Sequence, residues 1–115
     1  MKKNNIIKKN TEFDRIIRNN RSYKYKDYII YIEKNNTDTY KFGLSVGKKL
    51  GNAVVRNKIK RQLKAIIDKN IYENGVNCII IVRKEILLKS FNDMEKDLTN
   101  FFIKFNLIKE KNNEK

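Results

Sequence analysis

The chain has 115 residues, 40% apolar and 35% charged, enough for one modest core and too few for a second domain. It holds 27 Lys and Arg against 13 Asp and Glu, a formal net charge of +14, with no His, Pro or Trp and one Cys. Histidine-based nucleophilic triads, a disulfide framework and a Cys/His zinc site are thereby excluded. Residues 1–10 (MKKNNIIKKN) read as a flexible basic arm; they lack the apolar segment of a signal peptide. Thr11 can cap a helix, with Asp14 as capping-box partner, and Phe13, Ile16 and Ile17 recur at helical spacing. Residues 19–27 are a polar loop that leaves room for a short strand at 22–25. Residues 28–33 (YIIYIE) form a strand with Tyr28, Ile30 and Ile32 on one face and Ile29, Tyr31 and Glu33 on the other. After a turn at 35–39, residues 40–46 are a strand expected to run antiparallel to it, with Phe42, Leu44 and Val46 on one side and Lys41, Gly43 and Ser45 on the other.

Residues 47–52 (GKKLGN) are a glycine-punctuated basic loop, and Asn52 is an N-cap for a helix reaching about residue 70. At 100° per residue, Val55, Ile59, Leu63 and Ile66 share an apolar arc, bordered by a largely basic arc of Arg56, Asn57, Lys60, Arg61 and Lys64. Gly75 suits a turn, and residues 78–82 (CIIIV) are a strand buried on both faces. Ser90 caps a last helix whose stripe is Phe91, Met94, Leu98, Phe101, Phe102 and Phe105. Residues 109–115 are expected to fray. The order α-β-β-α-β-α, with one optional early strand, makes a single α+β domain over 1–115.

Part of the lysine excess is compositional: 21 Lys, 17 Asn and 17 Ile all have AT-rich codons. The six arginines carry more weight, and five of them cluster, as Arg15, Arg18 and Arg21 and as Arg56 and Arg61. A field of this sign calls for a polyanion. The longest fully apolar run is residues 78–82, too short to span a bilayer, so a membrane partner is not expected and the chain reads as cytoplasmic. Residues 43–47 (GLSVG) imitate a nucleophile elbow, a chance match without a triad histidine. Asp93 and Asp97 form an i, i+4 pair better explained as a solvated face, and Cys78 is a core residue. The segment that rises above solubility is residues 48–64: an anchored helix presents its basic arc rigidly, beside a loop of bare backbone and two lysines. Nearby tyrosines favour RNA over DNA, because aromatic rings suit unstacked bases.

Residues 42–61 (FGLSVGKKLGNAVVRNKIKR) resemble the signature of the bacterial ribonuclease P protein subunit, and IKKNTEF at 7–13 and CIIIVRK at 78–84 extend the likeness along nearly the whole chain. The resemblance implies an α/β domain with a parallel strand pair joined by a left-handed crossover. It implies two partners, the catalytic ribonuclease P RNA subunit and precursor tRNA, and cleavage performed by the RNA with magnesium, which no defined protein site holds. No protein oligomer is expected. Carried over, Lys48, Lys49, Asn52, Arg56, Asn57, Lys58, Lys60 and Arg61 would contact RNA. Phe13 and Tyr31 would stack on the single-stranded 5′ leader, with Asn57, Lys60 and Lys64 near its phosphates. Lys58 stands where the family usually has arginine, which keeps the charge but loses the bidentate fork, and Ile17 where many relatives have phenylalanine. Two readings of other classes are a structural RNA-binding protein, such as a ribosomal one, and a protein-only nuclease built on Asp93 and Asp97.

Overall fold

A computed structural model describes residues 1–111. Its elements are α1 (Asn10–Asn19), β1 (Ser22–Tyr25), β2 (Tyr28–Lys34), β3 (Tyr40–Ser45), α2 (Ala53–Ile67), β4 (Asn70–Tyr72), β5 (Val76–Val82), α3 (Phe91–Lys104) and β6 (Ile108–Lys111). The main sheet has the order β1-β2-β5-β3, and β4 and β6 form a separate two-stranded ribbon. Among the described residues no helix is long and apolar enough to cross a membrane.

The expected antiparallel pairing of the second and third strands is corrected. β5 lies between them, antiparallel to β2 and parallel to β3. Cys78, Ile79 and Ile80 are fully buried, and a strand apolar on both faces belongs at the centre of a sheet. That leaves β3, with Lys41 and Gly43, at the edge. The parallel β3–β5 pair, joined through α2, agrees with the family resemblance.

One face of the sheet carries the main core. Tyr28, Ile30, Phe42, Cys78, Ile80 and Val82 meet Ile59, Leu63 and Ile66 of α2 and Met94, Leu98, Phe101 and Phe102 of α3. Each Ile, Leu, Val, Phe and Met among them stabilises the fold by about 1.5–3 kcal/mol when fully buried. α1 sits on the opposite face, where Ile16 joins Ile7 and Ile79 in a smaller cluster.

Both ends of the described chain carry pairing that the sequence does not announce. In the arm, Ile7 is buried and its N–H donates to the Phe42 carbonyl at 2.9 Å, while Ile6 forms a parallel bridge to Phe42. The Asn5 amide reaches the Tyr40 carbonyl at 2.7 Å. The arm therefore covers the open edge of β3, a site that would otherwise offer unpaired backbone. Thr11 does not cap α1, which starts at Asn10, after Lys9. At the other end, Asn106 adopts φ 56° and closes α3, with Asn106 N–H on the Ile103 carbonyl and Leu107 N–H on that of Phe102. This paired motif turns the chain back. It buries Leu107 and leads into β6, so residues 109–111 are strand rather than frayed tail; residues 112–115 lie outside the described residues.

Candidate nucleic-acid interface

The loop before α2 is a single 3-10 turn, Lys48–Leu50, whose Leu50 plugs into the core while Lys48 and Lys49 stay exposed. Gly51 follows at φ 143°, a conformation that side-chain-bearing residues rarely adopt. Asn52 caps α2 as expected: its side-chain oxygen accepts the Val55 N–H at 3.1 Å, worth about 1 kcal/mol. Ile59, Leu63, Ile66 and Ile67 then fix the inner face of the helix.

The outer arc holds Asn57, Arg61 and Lys64 exposed and Arg56 and Lys60 half-buried. The Arg56 Nε is buried with no hydrogen-bond partner among the described residues. Lys58 departs from this arc; it borders a recess with Ile86, Leu87 and Lys89 on the flank facing α3. None of Lys48, Lys49, Arg56, Lys58, Lys60, Arg61 and Lys64 makes an ion pair among the described residues, whereas Arg15, Lys69, Arg83 and Lys89 all do. Residues 39–67 contain no Asp or Glu, a signal legible in the sequence as a gap in the acids rather than a run of bases.

Phe13 and Tyr31 come together on the α1 face. Both are half-buried and pack against Ile7, Ile16 and Ile79 with Ile17 and Ile81. Tyr31, Ile79 and Gly43 lie side by side across β2, β5 and β3. The Phe13 ring lies directly over Gly43: a Cβ there would come within 2.6 Å of its Cζ. The glycine of β3 is thus a seat for the ring. Asn57, Lys60 and Lys64 stand on α2, which packs against the other side of the sheet, so the aromatic pair and the α2 arc form two surfaces.

Sequence reasoning missed what fixes α1 in place. The Glu33 carboxylate, 14% exposed, accepts hydrogen bonds from Arg15 at 2.8 Å, Asn20 at 3.0 Å and Asn77 at 3.0 Å. Asn35 donates in turn to Asn77 at 2.8 Å. Burial alone would raise the Glu33 carboxyl; the bonds from Arg15, Asn20 and Asn77 outweigh it and hold it below its ordinary value. A lone acid ending an apolar strand was the only sequence signal for this network.

Cys78 and Ser90 have structural roles. Burial pushes the Cys78 thiol up to about 12, far from a reactive thiolate. The Asp93 N–H donates to the Ser90 hydroxyl at 3.1 Å, which caps α3. No three acidic or sulfur side chains converge as a metal-ligand group among the described residues.

Comparison with known proteins places the chain in a family. A family model described as Ribonuclease P matches residues 1–106. The ribonuclease P protein component of Mycoplasma mycoides is 46% identical over 101 residues, 85% of this chain and 93% of that protein. The ribonuclease P protein component of Mesoplasma florum is 41% identical over 108 residues, 91% of this chain and 98% of that protein. The solved RNase P protein of Staphylococcus aureus matches with a TM-score of 0.79 at 28% identity, covering 90% of this chain and 97% of that one.

Proposed function

The chain belongs to the ribonuclease P protein family, and on that premise we propose that it binds both the catalytic RNA subunit and the 5′ leader of precursor tRNA, in the cytoplasm, during magnesium-dependent removal of the leader. The observation that carries the RNA-binding role is the arc on α2: cations on a capped, anchored helix, with no acid in the 29 residues 39–67 to neutralise them. Two RNAs brought together repel through their phosphates. A protein of net charge +14 offsets that repulsion and releases counterions on binding. On this reading the α2 arc and the loop lysines hold the RNA subunit. Phe13 and Tyr31 take the leader by stacking, which tolerates any base. Magnesium is carried by the RNA, and the polypeptide supplies binding and positioning rather than a reacting group.

The test is precursor tRNA incubated with protein alone, with RNA subunit alone and with both. Cleavage is expected with the RNA subunit, enhanced by the protein at low magnesium, and absent with protein alone. Metal-dependent cutting by the protein alone, lost in Asp93→Asn, would replace this reading with a protein nuclease. Binding of RNA with no effect on cleavage would leave a structural RNA-binding protein.

A further inference from the structure

Alternation along β2 and β5 puts a polar row beside the aromatic one. Glu33 and Asn77 stand opposite each other on the face that carries Tyr31 and Ile79, one alternation along the same two strands. Asn77 is 3% exposed, and its amide works in both directions. It donates to one oxygen of Glu33 and accepts from Asn35, whose own oxygen accepts the Thr37 N–H at 2.9 Å. The other Glu33 oxygen accepts from both Arg15 and Asn20, the latter being the residue that ends α1. One carboxylate oxygen thus holds the helix at its middle and at its end. The apolar grip on α1 is small by comparison: of its ten residues only Ile16 is buried. A short helix packed this lightly can roll, and two bonds to one fixed oxygen remove that freedom. An apolar pair in place of a buried ionic one is often as stable, so what such a network supplies is position rather than strength.

We propose that Glu33 and Asn77 are positioning residues for the leader-stacking surface: without contacting RNA themselves, they hold α1 so that the Phe13 ring stays seated over Gly43, in the row of Tyr31. The inference rests on the leader-binding role proposed above. Phe13 lies on α1 close to Arg15, and Gly43 is beside Ile79 in the row next to Asn77. A roll of the helix away from Glu33 therefore carries the ring off its seat. Asn35 acts from the turn after β2: its amide on the Asn77 oxygen turns the Asn77 amino group toward Glu33. Each buried member of the network is satisfied by the next, and a network in that state is rigid.

The experiment compares wild type with Glu33→Gln, which keeps the size of the side chain and one oxygen for Asn77 but presents an amino group to Arg15 and Asn20. Two quantities are read. One is the chemical shift of the Gly43 Cα protons in the free protein, which the ring current of Phe13 displaces; Phe13→Leu sets its value without the ring. The other is the precursor-to-mature tRNA affinity ratio of the assembled enzyme. Glu33→Gln is expected to move the Gly43 shift toward the Phe13→Leu value and to lower the ratio about threefold, less than the about fivefold expected for removing the Tyr31 ring. In a Phe13→Leu background it should lower the ratio no further, which separates seating of the ring from general loosening of the fold; a further loss there overturns the proposal. So does a folded Glu33→Gln that keeps either the wild-type shift or the wild-type ratio. Tyr31→Ala is run alongside: if it lowers the ratio and Glu33→Gln does not, the positioning role alone is discarded; if neither does, the leader reading falls with it. Should Glu33→Gln not fold, Asn35→Ala decides by the same two readouts, with Glu33 intact and the same direction of change expected in both.

Discussion

At the scale of single residues, the contact between Phe13 and Gly43 is the most constrained feature of the α1 face. Alternation along the strands places Gly43 and Tyr31 on one face, and this much is legible in the sequence. That an aromatic ring fills the space above the glycine is not, because it depends on where α1 docks. Docking depends on the Glu33 network and on Ile7, neither of which has a periodic signature. If the ring and Tyr31 are a stacking surface, Tyr31→Ala should lower the precursor-to-mature tRNA affinity ratio of the assembled enzyme about fivefold, the low end of the about 1–3 kcal/mol that stacking supplies, since the ring is half-buried. Gly43→Ala should lower the same ratio with Tyr31 intact, because the new Cβ must push the Phe13 ring aside. Folded variants that both keep the wild-type ratio would move the leader onto the lysines alone.

At the scale of elements, α2 is the most legible part of the chain. Its cap, its apolar period and its basic arc all appear in the sequence, and the structure agrees with each. Lys58 is the exception, because family likeness rather than helical angle grouped it with the arc, and it turns toward α3. The β4–β6 ribbon was not legible: Asn-Ile-Tyr is too short for a period, and Ile-Lys-Glu-Lys reads as solvent. It exists because Asn106 reverses the chain at the end of α3. For the arc itself, Arg61→Ala should lower the salt slope for the RNA subunit by about one with an unchanged Tm, since the side chain is exposed. Arg56→Ala should lower the slope equally and also reduce Tm slightly, because part of its stem is buried. Either variant binding with the wild-type slope would show that the arc does not meet phosphate.

At the scale of the whole molecule, the fold separates two faces of one sheet. Helices α2 and α3 bury one face and thereby aim the basic arc outward, while the small α1 leaves the other face partly open around two aromatic rings. The sequence order of elements conveys the class of this architecture. It does not convey that β5 inserts between β2 and β3, since pairing is settled by which strand most needs burial on both sides. The central claim is that this arrangement lets a polycation of charge +14 join two RNAs. Its most direct test is the magnesium midpoint for precursor tRNA cleavage by the RNA subunit, with and without the protein. The account predicts a midpoint severalfold lower with wild-type protein, moving back toward the RNA-alone value with the Arg56→Ala, Arg61→Ala double variant. An identical midpoint with and without the protein, at concentrations where the two are shown to be bound, would contradict it.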